Sequence, residues 1–369
     1  MNAENPITPK RILLVRLRQI GDVVFTTPAV RGLRGRFPDA HLTYIVEPAA
    51  APIVAENPLL DEIIIAPRGR GIAGLAEELA LVGRLRAARF DMAIDFHGGP
   101  RSSLLTWLSG APVRLGYEVV GRSWMYTKRV PRPRRHRPRH SVESQWDLLG
   151  ALDIPRPDAA RFPVEMSRDP RAAEAVSDRL ARAGVGADHR VIVVHVSAGN
   201  PFRRWPTAAF VALVTVLVAR DRRRRVIVTS GPSELRAAGG VIDQARLLLD
   251  PADRDHVLSC GEFSLAELRA LVDRAALYIG GDSGPLHVAA TSTVPIVGLY
   301  GPTLPVRSAP WRAPQWITES VEVEGLECRP CDQRTCAPGD FRCLTWLRPE
   351  QVIDAAERAL ARAASRLSE

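Results

Sequence analysis

Apolar, β-branched runs of strand length alternate with longer stretches of helical periodicity along most of the chain. In the first half, the clearest helical pattern covers residues 73–88. Strands are predicted at 11–17, 41–47, 61–67 and 90–97. An alternation of this kind implies a parallel sheet with helices on both of its faces.

The alternation is interrupted once and then starts again. Residues 130–169 are rich in Pro and Arg and hold one helical stretch, 141–152, so we place a domain boundary at the end of this region. Beyond it, strands are predicted at 191–196, 226–230, 256–259, 276–281 and 295–300, with helices that begin at Thr207, Ser233, Ser264 and Pro285. The predicted fold is therefore α/β, with two doubly wound domains, 1–169 and 170–369. Ligands of such sheets bind at the carboxyl ends of the strands, and the expected site is the cleft between the domains.

Length and composition agree with two folded domains. The chain has 369 residues, of which 46% are hydrophobic and 25% charged, as in soluble globular proteins. The first ten residues lack the pattern of a secretory signal, so a cytoplasmic location is expected. The longest strongly apolar stretch, 207–219, is shorter than the 18 or more residues that span a bilayer, so no transmembrane helix is predicted.

The positive charge is concentrated in one segment. Lysine occurs only at Lys10 and Lys128, so arginine supplies almost all of the net charge of +9. Residues 122–140 hold seven Arg and one Lys with no acid, and their prolines predict an extended loop. A localised patch of this kind suits an anionic partner, such as phosphate, nucleic acid or an anionic membrane surface.

A short polar turn follows the first predicted strand. The sequence RQIGD, residues 18–22, combines Gly21, which permits a tight turn, with Asp22 at the start of a helix. Asp22 could be a helix cap that satisfies free amide groups. Taken alone, the turn favours the cap, and the alternative is a catalytic carboxylate at the edge of the sheet.

The first strand of the second half opens into the sequence HVSAGNPFRRWP, residues 195–206. Small residues allow backbone amides to approach a phosphate group, and an arginine fork matches phosphate oxygens. Arg203 and Arg204 are therefore candidate phosphate ligands. The alternative is a surface arginine pair before a helix, with Trp205 filling the core.

A second glycine-rich strand end is IGGDSGPLH, residues 279–287. The amide groups at Ser283 and Gly284 open a predicted helix and suit a diphosphate. The letters GDSG also occur in chymotrypsin-like serine proteases, but those enzymes are β-barrels and this stretch lies in a βα alternation. We therefore reject the protease interpretation.

The sequence GRGIAG at 69–74 matches the G-x-G-x-x-G pattern of dinucleotide-binding turns. Pro67 and Arg68 separate it from the preceding strand, and that strand is the third of the chain, whereas the dinucleotide pattern follows the first. A flexible arginine-bearing loop fits the segment better. A dinucleotide-dependent oxidoreductase remains the competing enzyme.

Two further groups of residues could bind metal. Asp253 and Asp255 form a D-x-D, for which a solvated turn is the better interpretation. Four cysteines have the spacing C-x2-C-x4-C-x6-C, which could form a zinc or iron–sulfur site: Cys328, Cys331, Cys336 and Cys343. Cys260 stands apart and is expected in a core.

Taken together, RQIGD, FRRWP, TSGPSE at 229–234 and GGDSGPLH resemble the ADP-heptose:lipopolysaccharide heptosyltransferases, glycosyltransferase family 9. The resemblance extends from Arg11 to about Ala361. It implies the GT-B fold, two Rossmann-like domains with a cleft, and inverting transfer of a heptose from a nucleotide sugar to lipopolysaccharide core or a related lipid-linked glycan. It also implies that no metal takes part in the chemistry, so zinc at the cysteines would be structural.

The resemblance assigns roles by position. Asp22 matches the family's catalytic base, and Arg203 stands where many members have a lysine that faces the diphosphate. The implied donor-binding residues are Arg203, Glu234, Asp282, Ser283, Gly284 and His287. We expect the acceptor, an anionic lipid-linked sugar, to meet arginines of the first domain, namely Arg68, Arg70, Arg101, Arg132, Arg134 and Arg135.

The partners expected from this resemblance are the nucleotide-sugar donor, the anionic acceptor and an anionic membrane surface, with no nucleic acid. The protein would then be peripheral at the inner face of the cytoplasmic membrane, held there by residues 122–140. The alternative without enzymatic activity is a polyanion-binding module built around the same residues.

Overall fold

The computed structural model describes residues 8–69, 71–132 and 138–367. The chain divides into two compact units between Ser167 and Arg168. The domain boundary predicted from the sequence, after residue 169, lies two residues further along the chain. Each unit contains one parallel six-stranded sheet with flanking helices, so the predicted α/β class with two doubly wound sheets is confirmed.

In the first unit, the sheet has the strand order β3-β2-β1-β4-β5-β6. Its strands are β1 Arg11–Val15, β2 His41–Val46, β3 Glu62–Ile65, β4 Met92–Asp95, β5 Val113–Tyr117 and β6 Lys128–Val130. Four consecutive residues of β1, Ile12 to Val15, are fully buried, as expected for a central parallel strand covered on both faces. The order reverses between β1 and β4, and the carboxyl ends of these two strands form the switch point where ligands bind in such sheets.

Among the described residues of this unit, five helices connect or flank the strands: α1 Ile20–Val24, α2 Thr27–Arg36, α3 Gly71–Ala87, α4 Pro100–Leu108 and α5 Ser141–Gly150. Helices α3 and α4 cover one face of the sheet, where Leu81, Leu85 and Leu105 join a core cluster with strand residues such as Leu13 and Val15. The first three turns of α3 lie largely outside this core. Ile72, Leu75 and Leu79 are 90%, 61% and 64% exposed.

In the second unit, the sheet has the order β12-β11-β10-β7-β8-β9. Its strands are β7 Arg190–His195, β8 Arg224–Thr229, β9 Val257–Leu258, β10 Leu277–Gly281, β11 Ile296–Tyr300 and β12 Thr318–Glu322. The order reverses between β7 and β10, which register Val194 beside Ile279 and His195 beside Gly280. The turns that follow these two strands therefore meet at one edge of the sheet.

In the described part of the second unit, up to residue 367, eight helices accompany this sheet: α6 Pro170–Arg182, α7 Thr207–Arg220, α8 Leu235–Leu248, α9 Leu265–Asp273, α10 Gly284–Ala290, α11 Pro305–Ser308, α12 Arg342–Thr345 and α13 Pro349–Leu367. The core lies between the sheet and α7, α8 and α13. The polar side of α13 carries Arg358 and Arg362, which pair with Glu319 of β12.

One helical segment is long and apolar enough to cross a membrane, judged by length and composition alone, whereas the sequence analysis found no apolar stretch of that length. It covers Pro201–Arg220, with a mean hydropathy of 1.4, because a short turn before α7 extends the apolar stretch. Six side chains of α7, including Phe210 and Leu217, pack in the core of the second unit. Core helices of globular proteins pass the same test, so this result is weak evidence for a membrane span.

Three strands were missed by the sequence pattern: β5, β6 and β12. The residues of β5 include Arg114 and Gly116, and β6 carries Lys128 and Arg129, so neither has the apolar run that marks a buried strand. The predicted loop at 122–140 is consequently wrong in part, because β6 pairs in parallel with β5. Residues 133–137 of that segment lie outside the described residues.

Candidate active site

Asp22 lies beside the switch point of the first sheet, in the first turn of α1. The helix is preceded by Gln19 at the N-cap position, and no side chain caps it, so Asp22 is not the cap that the simpler interpretation required. Its carboxylate forms an ion pair with Arg16, the residue that follows β1. The Asp22 side chain is 38% exposed and that of Arg16 only 10% exposed, so a solvent-accessible carboxylate is held by a buried guanidinium.

Arg16 is held in place by the backbone of the neighbouring strand. Its Nη1 donates to the carbonyl oxygen of Phe96 at 2.7 Å, and its backbone nitrogen donates to Ile45. A buried guanidinium needs an anion and hydrogen-bond acceptors nearby. Arg16 was not predicted as a site residue. Its position inside the predicted strand RILLVRL, between Val15 and Leu17, could have indicated a role, because a charged residue is unusual in a buried strand.

His97 follows β4 at the same edge. Burial, together with the positive charge of Arg16, lowers the pKa of His97 to about 4, against an opposing contribution from Asp22. The positive charges of Arg18 and Arg132 act on the imidazole in the same direction and contribute to this lowered pKa. Asp22 therefore lies in a region where positive charge predominates, and His97 is neutral at physiological pH.

The turn that carries His97 is fixed by a buried carboxylate. Asp95 Oδ1 accepts hydrogen bonds from the backbone nitrogens of His97 and Gly98, at 2.8 and 2.9 Å. Its Oδ2 accepts from the Tyr126 hydroxyl at 2.7 Å. Burial raises the pKa of Asp95 even though these hydrogen bonds act in the opposite direction.

The predicted acceptor arginines differ in their surroundings. Arg132 lies near His97, with its guanidinium carbon 5.9 Å from the centre of the Tyr117 ring. Arg68 is largely exposed and pairs with the buried Glu47 at 2.7 Å. Arg101 is engaged within the fold by Glu78, Glu47 and the carbonyl oxygen of Pro67. Arg70, Arg134 and Arg135 lie outside the described residues.

In the second unit, Asp282 follows β10 and is buried, with a relative exposure of 2%. Its Oδ2 accepts from Thr303 and lies 3.2 Å from Arg203 Nη1, while its Oδ1 lies 3.4 Å from His287 Nε2. Burial alone would raise the pKa of Asp282. The hydrogen bond and charge of His287, with the charge of Arg203, outweigh burial and hold this pKa below its ordinary value.

Arg203 is therefore aligned by the end of β10. Its Nη1 also donates to the backbone oxygen of Asp282 at 3.0 Å, and its Nε donates to Gln333 at 2.6 Å. The turn packs closely on the strand, because a Cβ atom on Gly281 would lie only 3.3 Å from the Arg203 carbonyl oxygen. Within the described part of the chain, Arg203 Nη2 makes no hydrogen bond, and the side chain is 29% exposed.

Arg204 has a different partner from its neighbour. Its Nη2 pairs at 2.5 Å with Glu234, a buried carboxylate that follows β8, and its Nε donates to Ala198. Ser233 donates to the same Glu234 oxygen at 2.7 Å. The RR pair is thus divided, with one arginine directed to each of two buried acids. The sequence did not indicate this division.

The turns after β7 and β8 are joined by a buried chain of hydrogen bonds. His195 Nδ1 lies 3.0 Å from the Thr229 hydroxyl, and its Nε2 lies 3.0 Å from Ser197, whose hydroxyl also accepts from Gly231 N at 2.9 Å. Burial lowers the pKa of His195 to about 4. The imidazole is therefore neutral in the folded protein.

The remaining donor candidates lie at the start of α10. Ser283 occupies the N-cap position without capping the helix, and its buried Oγ has no hydrogen-bond partner among the described residues. Gly284 begins the helix, and His287 is buried one turn along it. All six predicted donor residues belong to the second unit, and Asp282 makes contact with both Arg203 and His287.

The four clustered cysteines are unpaired thiols. The pKa of Cys343 is raised to about 11, mainly by burial, and the other three thiols of the cluster contribute in the same direction. No group of three or more His, Cys, Asp or Glu side chains in residues 8–69, 71–132 and 138–367 is arranged to hold a metal ion. Structural zinc at these cysteines stays a prediction, to be checked by elemental analysis.

Two doubly wound units in one chain, each with a parallel six-stranded sheet, are the architecture of the GT-B fold of glycosyltransferases. The model of glycosyltransferase family 9 (heptosyltransferase) matches residues 79–340. The chain belongs to this family and is a glycosyltransferase. The glycines of 69–74 follow β3, at the edge of the sheet, and so do not form the dinucleotide-binding turn of a first strand.

Relatives agree with this assignment. The chain is 28% identical to lipopolysaccharide heptosyltransferase 3 of Escherichia coli over 80% of its own length and 84% of that protein. It is similar to the crystal structure of a family 9 glycosyl transferase from Veillonella parvula, with 25% identity, a TM-score of 0.78 and coverage of 96% and 97% of the two chains. The structure of E. coli ADP-heptose lps heptosyltransferase II shares the fold, with 20% identity, a TM-score of 0.75 and coverage of 95% and 99%.

Proposed function

We propose that this enzyme transfers a heptose from a nucleoside-diphosphate heptose of the ADP-heptose class to lipopolysaccharide core or a related lipid-linked glycan, with inversion at the anomeric carbon. The observation that carries the proposal is Asp22, an exposed carboxylate at the switch point of the first sheet, held by the buried Arg16. The relatives named above include lipopolysaccharide heptosyltransferases, which supports the class of donor and acceptor.

The reaction is a single displacement. Asp22 accepts the proton of the acceptor hydroxyl while that oxygen forms a bond to the anomeric carbon and the bond to the diphosphate oxygen breaks. Because one nucleophile replaces one leaving group, the configuration inverts. Arg16 keeps the Asp22 carboxylate oriented from the buried side, which leaves its exposed side for the acceptor.

Donor binding is assigned to the second unit. Arg203 stabilises the negative charge that develops on the departing diphosphate, and Asp282 holds the guanidinium in place. Glu234, Ser283, Gly284 and His287 complete the donor site in this proposal. Arginine supplies the positive charge, so we propose that transfer needs no metal or other cofactor.

The acceptor and membrane are assigned to the first unit. The positive charges of Arg18 and Arg132 act on His97, as does the negative charge of Asp22. The two arginines suit an anionic sugar. Helix α3 presents the exposed apolar residues Ile72, Leu75 and Leu79, and the exposed Arg68 precedes this helix in the chain. Exposed apolar and basic residues together are found on surfaces that lie in the membrane interface. We propose that the enzyme works as a peripheral protein at the inner face of the cytoplasmic membrane, without a nucleic-acid partner.

The test is a transfer assay with purified enzyme, a panel of nucleoside-diphosphate sugars and a deacylated lipopolysaccharide core acceptor. Asp22→Asn should lower kcat by about 10² to 10⁴, the contribution of general-base catalysis, while ADP affinity stays unchanged. Asp39→Asn, an exposed carboxylate before β2, is the matched control and should keep wild-type turnover. NMR of the product gives the anomeric configuration, and EDTA should leave turnover unchanged. Near-normal turnover of Asp22→Asn would remove the base assignment.

A further inference from the structure

The segment that carries the four cysteines, residues 326–345 and here called the cysteine segment, is fastened to the carboxyl end of β11. Arg329 donates to the carbonyl oxygens of Val323 and Thr303, at 2.6 and 2.7 Å. The backbone nitrogen of Cys331 donates to Pro302 at 3.3 Å. The contacted residues include Thr303, which bonds Asp282, so the cysteine segment lies directly beside the predicted donor site.

Gln333 connects this segment to the turn that carries Arg203. Its Oε1 accepts two hydrogen bonds, from Arg203 Nε at 2.6 Å and from Asn200 Nδ2 at 2.9 Å. Gln333 has a φ of 60°, a left-handed conformation that residues other than glycine seldom adopt. The surrounding segment therefore has to hold this residue in its position.

A second contact joins the same two parts of the chain. The rings of Phe202 and Phe341 meet edge to face, with centroids 5.2 Å apart. The neighbours of Arg203 on its turn, Asn200 and Phe202, are thus both in contact with the cysteine segment. Asp282 orients Nη1 of the guanidinium from the sheet side, and Gln333 orients Nε from the cysteine segment.

We propose that Gln333 is a positioning residue for donor binding: it holds the Arg203 guanidinium in the orientation that receives the donor diphosphate. An arginine side chain loses considerable rotational freedom when it binds a phosphate, and fixing it beforehand lowers that cost. The cysteine segment then serves the donor site by supplying Gln333 and Phe341. This inference rests on the proposed donor role of Arg203.

A double-mutant cycle tests it, with ADP as the probe and isothermal titration calorimetry as the measurement. Gln333→Met keeps the length of the side chain and removes the acceptor, so ADP affinity should fall about three- to tenfold, the range for a lost hydrogen bond. In the Arg203→Ala background, the same change should have no further effect, because Gln333 acts only through that guanidinium. With saturating donor, kcat of Gln333→Met should stay near wild type while the KM for donor rises.

Thr335→Ala is the matched control, since Thr335 is an exposed residue of the same segment, and it should bind ADP like wild type. If Gln333→Met weakens ADP equally with and without Arg203, the segment affects the site by another route and the inference is wrong. If Arg203→Ala weakens ADP and Gln333→Met does not, only the positioning role fails. If Arg203→Ala itself leaves ADP affinity unchanged, the proposed donor site and the role of Gln333 fail together.

Discussion

Asp282 shows how a single buried carboxylate organises the proposed donor site. It contacts Arg203, His287 and Thr303, which come from the turn after β7, from helix α10 and from the turn after β11. A carboxylate buried to this degree is stable only when charges and donors surround it. The arrangement fixes Arg203 without occupying Nη2, which is left for a ligand.

Replacing Asp282 should therefore cost stability as well as donor binding. We expect Asp282→Ala to lower the free energy of unfolding by about 2 to 4 kcal/mol, because it removes the buried carboxylate that Arg203 and Thr303 both contact. Urea unfolding followed by circular dichroism measures this change. Asp243→Ala, an exposed position on α8, should stay within about 0.5 kcal/mol of wild type. A loss of similar size in both variants would contradict the assigned role.

At the scale of elements, the candidate site residues of both units lie in or next to the turns that follow neighbouring parallel strands. In the second unit, β7 and β8 end in turns joined by His195 and Ser197. This hydrogen-bonded chain uses a neutral imidazole, since a charged one would be buried without an anion beside it. The stability of this arrangement consequently depends on pH.

The expected pH dependence follows from the lowered pKa of His195. Between pH 6.5 and about 4, the unfolded chain binds a proton at this residue that the folded chain does not, so stability falls as the pH is lowered. The full difference corresponds to roughly 3 kcal/mol, of which about 2 kcal/mol should be lost between about pH 7 and about pH 5.

Urea unfolding at both pH values, in wild type and in His195→Gln, isolates this contribution. The variant should lose less stability than wild type over the same interval by about 2 kcal/mol. His97 and the carboxylates titrate alike in both proteins and cancel in the comparison. Equal losses in the two proteins would show that His195 is not buried in its neutral form.

At the scale of the whole molecule, charge is unevenly distributed. Residues 122–140 supply a charge of +8 toward a net charge of +9. Two of these arginines make contacts within the first unit: Arg139 pairs with Asp147 at 2.6 Å, and Arg122 donates to the carbonyl oxygen of Gly98. Arg132 lies near His97, on the side of the unit that holds Asp22.

We expect this charge to bind the enzyme to anionic membranes. Each basic residue near such a surface contributes about 1 kcal/mol, and salt screens the attraction. Sedimentation with anionic vesicles should fall at least about tenfold, and the KM for lipid acceptor should rise, when five arginines are changed to serine. These are Arg129, Arg132, Arg134, Arg135 and Arg137.

The control removes the same charge from the second unit, at exposed arginines. These are Arg171, Arg182, Arg236, Arg274 and Arg348. Vesicle binding of the control should stay near wild type. An equal loss in both variants would mean that net charge alone drives adsorption, and wild-type binding of the first variant would remove the membrane role of the segment.

Hydrophobic periodicity and motif order were sufficient for the α/β class and for the glycosyltransferase family. A parallel strand such as β1 is apolar throughout because both faces are covered, and this feature is local in sequence. The strands β5, β6 and β12 carry too many polar residues to show it, and β6 and β12 also lie at sheet edges. The motifs around Asp22, Arg203 and Asp282 stand out for a similar reason, since glycines and charges interrupt apolar runs there.

Contacts between distant parts of the chain were decided only by the tertiary structure. The pairing of Arg204 with Glu234 joins residues 30 positions apart, and that of Arg203 with Gln333 joins residues 130 positions apart. No local pattern encodes such partners, because they depend on which turns the strand order β10-β7-β8 brings side by side. The sequence by itself determined which residues are charged, small or apolar at each strand end. Packing of the sheets determined which charges neutralise one another, and so which guanidinium is left with a nitrogen to offer a ligand.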